Sequence, residues 1–100
     1  MKLPKTFRCS CQTFTIQKGK VGKDGVSGKY MGRVLYKKNQ IRLNRKLKGD
    51  PLKFTLMHEL VHIMMRSFDL PEGAIDTFAL ALIDVIQDND WFPKYFKEDK

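Results

Sequence analysis

The chain has 100 residues, 42% hydrophobic and 30% charged, which is enough for one domain with one modest core. Its 19 Lys and Arg against 11 Asp and Glu give a formal charge of +8, and its mean hydropathy is −0.41. These figures argue against a disordered chain, a disulfide scaffold and a membrane span, because no apolar run approaches ~18 residues. The N-terminal Met1–Arg8 has charge but no apolar stretch behind it, so no secretory signal is expected. A reducing cytoplasm is the expected compartment, and Cys9 and Cys11 are expected to be two reduced thiols.

The charge is unevenly spread. Residues 1–53 hold 15 Lys and Arg against Asp24 and Asp50, whereas residues 54–100 hold 4 against 9 acids. The basic half is either a face for nucleic acid or an acidic protein, or a solvated surface whose acidic counterpart lies in the same molecule. The second is the simpler expectation, since no basic helix or aromatic nucleic-acid motif accompanies the charge.

Taken in chain order, residues 1–12 read as a tail or short edge element. Residues 13–17 alternate and read as a strand. Residues 18–29, with four glycines among charges, read as a mobile loop. Residues 30–36 and 40–44 are two further strands, joined by a hairpin-length Lys37-Lys38-Asn39. Gly32 interrupts the first of these, as a bulge or a close backbone approach would require. Asp50-Pro51 looks like a capped helix start, and the helix is expected over 51–67. It is apolar nearly all round except for a wedge of Thr55, His58, Glu59, His62 and Arg66. After a turn at 68–71, a second helix is expected over 71–88, with Ile75, Phe78, Ala79, Leu82, Ile83 and Ile86 inward. The aromatic tail Trp91, Phe92, Tyr95 and Phe96 is expected to pack back as satellite core rather than serve as a partner patch. The simplest architecture is α+β: a three-stranded antiparallel sheet against two antiparallel helices.

One motif carries chemistry, His58-Glu59-Leu60-Val61-His62. An HExxH on a helix puts two imidazoles one turn apart on one face, where both can bind one Zn²⁺. Glu59 lies about 100° round the helix from His58, near enough to act on water beside the metal without ligating it. These are the only two histidines in the chain. Both fall in the polar wedge of an otherwise buried helix, where ionisable groups without a metal would be costly.

Glu72-x-x-x-Asp76 following HExxH resembles the gluzincin arrangement, of which thermolysin is the familiar member. The resemblance implies that Glu72 is the third ligand and that Asp76 steadies a ligand histidine. Helix geometry leaves Asp76 open as the ligand instead, because a short hairpin turning near Asp69 brings the level of the histidines deeper into the second helix.

The run from Gly32 to Asn44, then Leu56–His62, then Glu72–Ala79 is similar to small phage and prophage zincin-like proteins related to the ImmA/IrrE-type metallopeptidases. The likeness covers about residues 30–90 and implies a minimal zincin-like fold with the metal site between the helices. It also implies a cytoplasmic zinc metallopeptidase acting on a peptide or protein substrate, with Glu59 as general base. The chain lacks a sensor or DNA-binding domain and the long stretch that usually precedes the third ligand. Tyr30, Tyr36, Arg66 and Tyr95 are candidates to stabilise the oxyanion, and the strand around Gly32 could hold a substrate by strand addition. The alternative from another class is a non-catalytic, zinc-stabilised module whose basic half engages nucleic acid or an acidic protein.

Overall fold

The computed structural model describes residues 2–19 and 31–98. These form β1 (Thr6–Cys9), β2 (Gln12–Gly19), β3 (Gly32–Leu35), β4 (Gln40–Asn44), α1 (Gly49–Met64), α2 (Glu72–Asp88) and α3 (Trp91–Lys97). A 3-10 turn at Tyr36–Lys38 links β3 to β4, closed by Asn39 in the left-handed region.

The architecture is α+β, but the sheet has four strands rather than three, and it is mixed rather than antiparallel. Its order is β1-β2-β4-β3. β1 and β3 pair antiparallel with their neighbours, while β2 and β4 run parallel through the centre. Of the two readings of residues 1–12, a tail or a short edge element, the chain forms the second: β1 is an edge strand. It folds back through Ser10 and Cys11, both at positive φ (52° and 66°), the backbone of a two-residue hairpin turn. That turn was hidden because Ser-Cys is not among the residue pairs that announce it. Lys18 and Gly19 belong to β2, and residues 20–30, which include most of the expected loop and Tyr30, lie outside the described residues.

The strands alternate as their sequences require. Phe14, Ile16, Ile41 and Leu43 point to one face and are buried there with Ile63 of α1. Leu52, Leu56 and Leu60 of α1 close over them. The opposite side of α1 supplies Val61, with Phe54, Met57 and Met65, to a second cluster holding Ile75 and Ala79 of α2. The layers are thus sheet, α1, α2, which explains why α1 is apolar on two sides. His58 faces Asp76, while Lys53 and Gln87 line one groove, the descending register of an antiparallel pair.

Three expectations need correction. α1 starts at Gly49, not Pro51, and ends at Met64; Asp50 makes no cap, and Lys48 stands at the N-cap position without a side-chain bond. Gly49 turns the chain into the helix at φ +60°, a value that side chains with Cβ rarely adopt. On α2, Ile75 and Ala79 are buried, but Phe78 and Ile86 are 46% and 40% exposed, because no layer among the described residues covers the side of α2 away from α1. The aromatic tail does not form core: α3 is short, and Trp91, Tyr95 and Phe96 stay exposed, stacking mainly on one another. No helix among the described residues is long and apolar enough to cross a membrane.

Gly32 is where β3 meets α1. Its strand pairing is regular, so there is no bulge. A Cβ there would stand 2.9 Å from Thr55 Cγ2, 3.1 Å from Leu43 Cδ2 and 3.2 Å from Glu59 Oε2. The close approach is thus by side chains rather than by another backbone. We expect Gly32→Ala to cost about 1–3 kcal/mol, read as a lower urea midpoint at unchanged slope. Gly73→Ala on α2, where an added Cβ meets nothing within 4 Å, should instead stabilise by about 0.5–1 kcal/mol. Equal midpoints for the two variants would refute the close approach.

Candidate metal centre

The polar wedge of α1 points between β3 and the first turn of α2. Thr55 and Glu59 are buried against β3, His58 and His62 are half-buried, and Arg66 is exposed. Pro71 ends the connection and starts α2, which brings Glu72 back over the two histidines.

Three side chains converge on one point. His58 Nε2 lies 3.0 Å from Glu72 Oε2, and His62 Nε2 lies 3.3 Å from Glu72 Oε1. The two Nε2 atoms are 3.1 Å apart. On the far side of the His58 ring, Nδ1 meets Asp76 Oδ1 at 2.7 Å. Of the two acids open in the sequence, Glu72 therefore reaches the face shared by both histidines, and Asp76 holds the back of one of them.

The donor set fits a zinc ion. Donors at ~2.0–2.1 Å from a tetrahedral ion stand roughly 3.3–3.4 Å apart, close to the separations here. The protonation logic points the same way. The Asp76 carboxylate only accepts, so the His58 Nδ1–H donates to it and the proton stays on that nitrogen. A neutral His58 then turns the Nε2 lone pair toward the Glu72 oxygen, two acceptors in contact. A second proton or a cation is required between them, and a cation also satisfies His62. Among the described residues, His58, His62 and Glu72 form the group suited to hold one.

Beside this cluster runs an open cleft of about 620 Å³. Gly32, Arg33, Val34 and Tyr36 form one wall; His58, Glu59, His62 and Glu72 form the other. Gly32, His58 and Glu59 also line a smaller neighbouring cavity of about 390 Å³. That Arg33 and Val34 enter the wall was not legible in the sequence, since it depends on β3 being the outermost strand. Burial is the main reason that the Glu59 carboxyl is pushed up to about 7; positive charge on His58 pulls it down, and Glu72 pushes it up.

The oxyanion candidates separate. Tyr36 lies in the cleft wall, with its hydroxyl donating to the His62 carbonyl at 3.4 Å. Its ring is fixed edge-on by Phe14 and covered by the Arg66 guanidinium at 4.6 Å. Burial raises the phenol's pKa above its ordinary value, against the lowering effect of Arg66, so it remains a donor across neutral pH. Arg66 itself donates to Gln12. Tyr95 is on α3, past the end of α2 opposite to Glu72, and lines no part of the cleft. Tyr30 is outside the described residues.

Comparison with protein-family models, curated proteins and solved structures finds no match to the chain.

Zinc binding should depend on these residues unequally. We expect His58→Ala, His62→Ala and Glu72→Ala each to abolish stoichiometric zinc, whereas Asp76→Ala weakens it ~10–100-fold. Titration against a chromophoric chelator measures both. Loss at Asp76 with retention at Glu72 would exchange their roles.

In the metal-free chain, Glu59 adds a pH dependence. Its folded pKa is raised from 4.5 to about 7, so its contribution to stability is full below about 4.5 and is lost as pH rises through about 7. The chelated protein should therefore melt lower at pH 8 than at pH 5, and Glu59→Gln should flatten that fall. An equally steep fall in the variant would rule Glu59 out as its source.

Proposed function

We propose that the chain is a zinc-dependent metallopeptidase of zincin type that hydrolyses peptide bonds in a peptide or protein substrate. The observation that carries this reading is the convergence of both histidine Nε2 atoms and the Glu72 carboxylate at a cleft where Glu59 is buried alongside. The resemblance to small phage zincin-like proteins and the ImmA/IrrE-type metallopeptidases supports it.

His58, His62 and Glu72 would hold the ion. Bound zinc supplies a Lewis acid and lowers the pKa of water toward ~7. Glu59 accepts a proton from the attacking water and passes it to the nitrogen of the breaking C–N bond, which leaves as an amine. In the metal-free chain, burial already raises this carboxyl's affinity for a proton. Asp76 keeps the His58 proton on Nδ1 and the Nε2 lone pair directed inward. Tyr36 can turn its one hydroxyl proton from the His62 carbonyl to the negative oxygen that develops on the substrate carbonyl. Among the described strands β3 is at the edge of the sheet, so an extended peptide can be held along it by strand addition.

The test is a peptide-library cleavage screen with zinc-loaded parent and variants side by side. Glu59→Gln should keep its zinc and lose ~10²–10⁴-fold in turnover. Tyr36→Phe should keep zinc and lose roughly 10²-fold in kcat, as expected for one missing oxyanion donor. A fully zinc-loaded parent that cleaves nothing would make the ion structural and the chain a binding module.

A further inference from the structure

Among the described residues, no element packs on the outer face of the sheet. α1 covers the inner face, and α2 packs on α1. Of the strand residues that point outward, only Leu35 is a large apolar side chain, and it is half-buried.

Within that face, Arg33 of β3 and Arg42 of β4 stand directly opposite each other in the strand register. Side chains so paired have Cβ atoms about 4.5–5.5 Å apart, and like charges there destabilise a sheet. A carboxylate beside them would relieve the repulsion, but the next position across, on β2, is Gln17. Arg42 donates to Gln40, a neutral group. Among the described residues no Lys or Arg lies within 4.0 Å of a carboxylate; the ion pairs are those of His58 and His62. Acids of the same molecule, on α2, therefore balance the basic half without direct Lys or Arg ion pairs among the described residues. Asp24 is the only acid before Asp50, and the acids of α2 lie across α1 from the outer face. Lys37 and Lys38 at the β3–β4 turn, and Arg45 and Lys46 after β4, add cations at both ends of the two strands.

We propose that this outer face binds nucleic acid through the phosphate backbone. Two arginines in cross-strand register on a rigid sheet, with no carboxylate within 4.0 Å of either among the described residues, can reach neighbouring phosphates, for which Arg is suited by its planar fork of donors. An acidic protein fits less well, because the face offers no exposed apolar anchor around which a protein interface could form. The strands present no aromatic ring outward, so bases have nothing to stack on and the binding is independent of sequence. The inference does not rest on the peptidase reading: Arg33 also borders the cleft, but Arg42 does not line it and the readout involves no zinc.

The experiment is fluorescence anisotropy of the full chain with labelled single-stranded and duplex DNA of about 20 nucleotides, between about 50 and 200 mM salt. Binding to mixed sequences should weaken steeply with salt. Arg33→Gln and Arg42→Gln should each reduce the slope of log K against log salt by about 0.7–0.9, while Arg42→Lys keeps it. Neither Gln variant should melt below the parent, since each removes a repulsion. Lys94→Gln with Lys97→Gln on α3 should leave the slope unchanged. No binding at the lowest salt, or an unaltered slope in both Arg→Gln variants, would overturn the proposal. Equal binding of polyglutamate would overturn it in favour of an acidic protein.

Discussion

α1 is clamped from two sides, and the site follows from that. Ile63 and its leucines fill the sheet's inner face, while Val61 and the residues a turn either side fill the contact with α2. Rotating the helix about its axis would expose one apolar stripe and bury charge under the other, so its orientation is strongly fixed. The one polar arc left over points at the gap between β3 and the start of α2. Gly32 lets that arc come close: without a Cβ, the strand leaves room for the Thr55 methyl and the Glu59 carboxylate. The burial that raises the Glu59 pKa is a direct result of this fit.

Electrostatics at the cluster are as constrained as its packing. Two imidazoles and two carboxylates meet within hydrogen-bonding distance, and Asp76 dictates which nitrogen of His58 carries a proton. Once that proton is placed, the inward nitrogen and the Glu72 oxygen are both acceptors. The arrangement is therefore strained without positive charge at its centre, which is the condition a metal site is built to meet. Glu59 avoids the cluster's centre by its helical position, one residue on from His58, and remains available to water in the cleft.

Charge is segregated along the layers. The sheet side is basic throughout the described residues, and α2 carries Glu72, Asp76, Asp84 and Asp88 without a single Lys or Arg. α1 keeps the two apart, so the opposite charges attract across the molecule without pairing. β3 belongs to both surfaces: Gly32 and Val34 face inward toward the cleft, and Arg33 extends along the cleft wall and lies in register with Arg42 on the outer face. A chain held along its edge and a polyanion held on its face would thus be neighbours.

The elements with strong local patterns were legible before any coordinates. β4, the β3–β4 turn, both long helices and the HExxH face all follow from spacing, because strand alternation and the helical repeat are properties of a few adjacent residues. The rest depended on encounters distant in the chain. β1 lay in a segment readable as either tail or edge element, and its turn at Ser10-Cys11 uses residues that tolerate positive φ poorly. The parallel pairing of β2 with β4 places Ile16 beside Ile41, 25 positions apart, and no local pattern encodes it. Residue spacing left Glu72 and Asp76 as rivals; the packing of α1 on α2, with Val61 against Ile75 and Ala79, gives them different nitrogens. The aromatic tail shows the opposite error: its composition suggested burial, but among the described residues a seven-residue helix at the end of α2 meets no surface that covers it. Composition tells which side chains would gain from burial, and only the assembled layers say which of them have a partner to bury against.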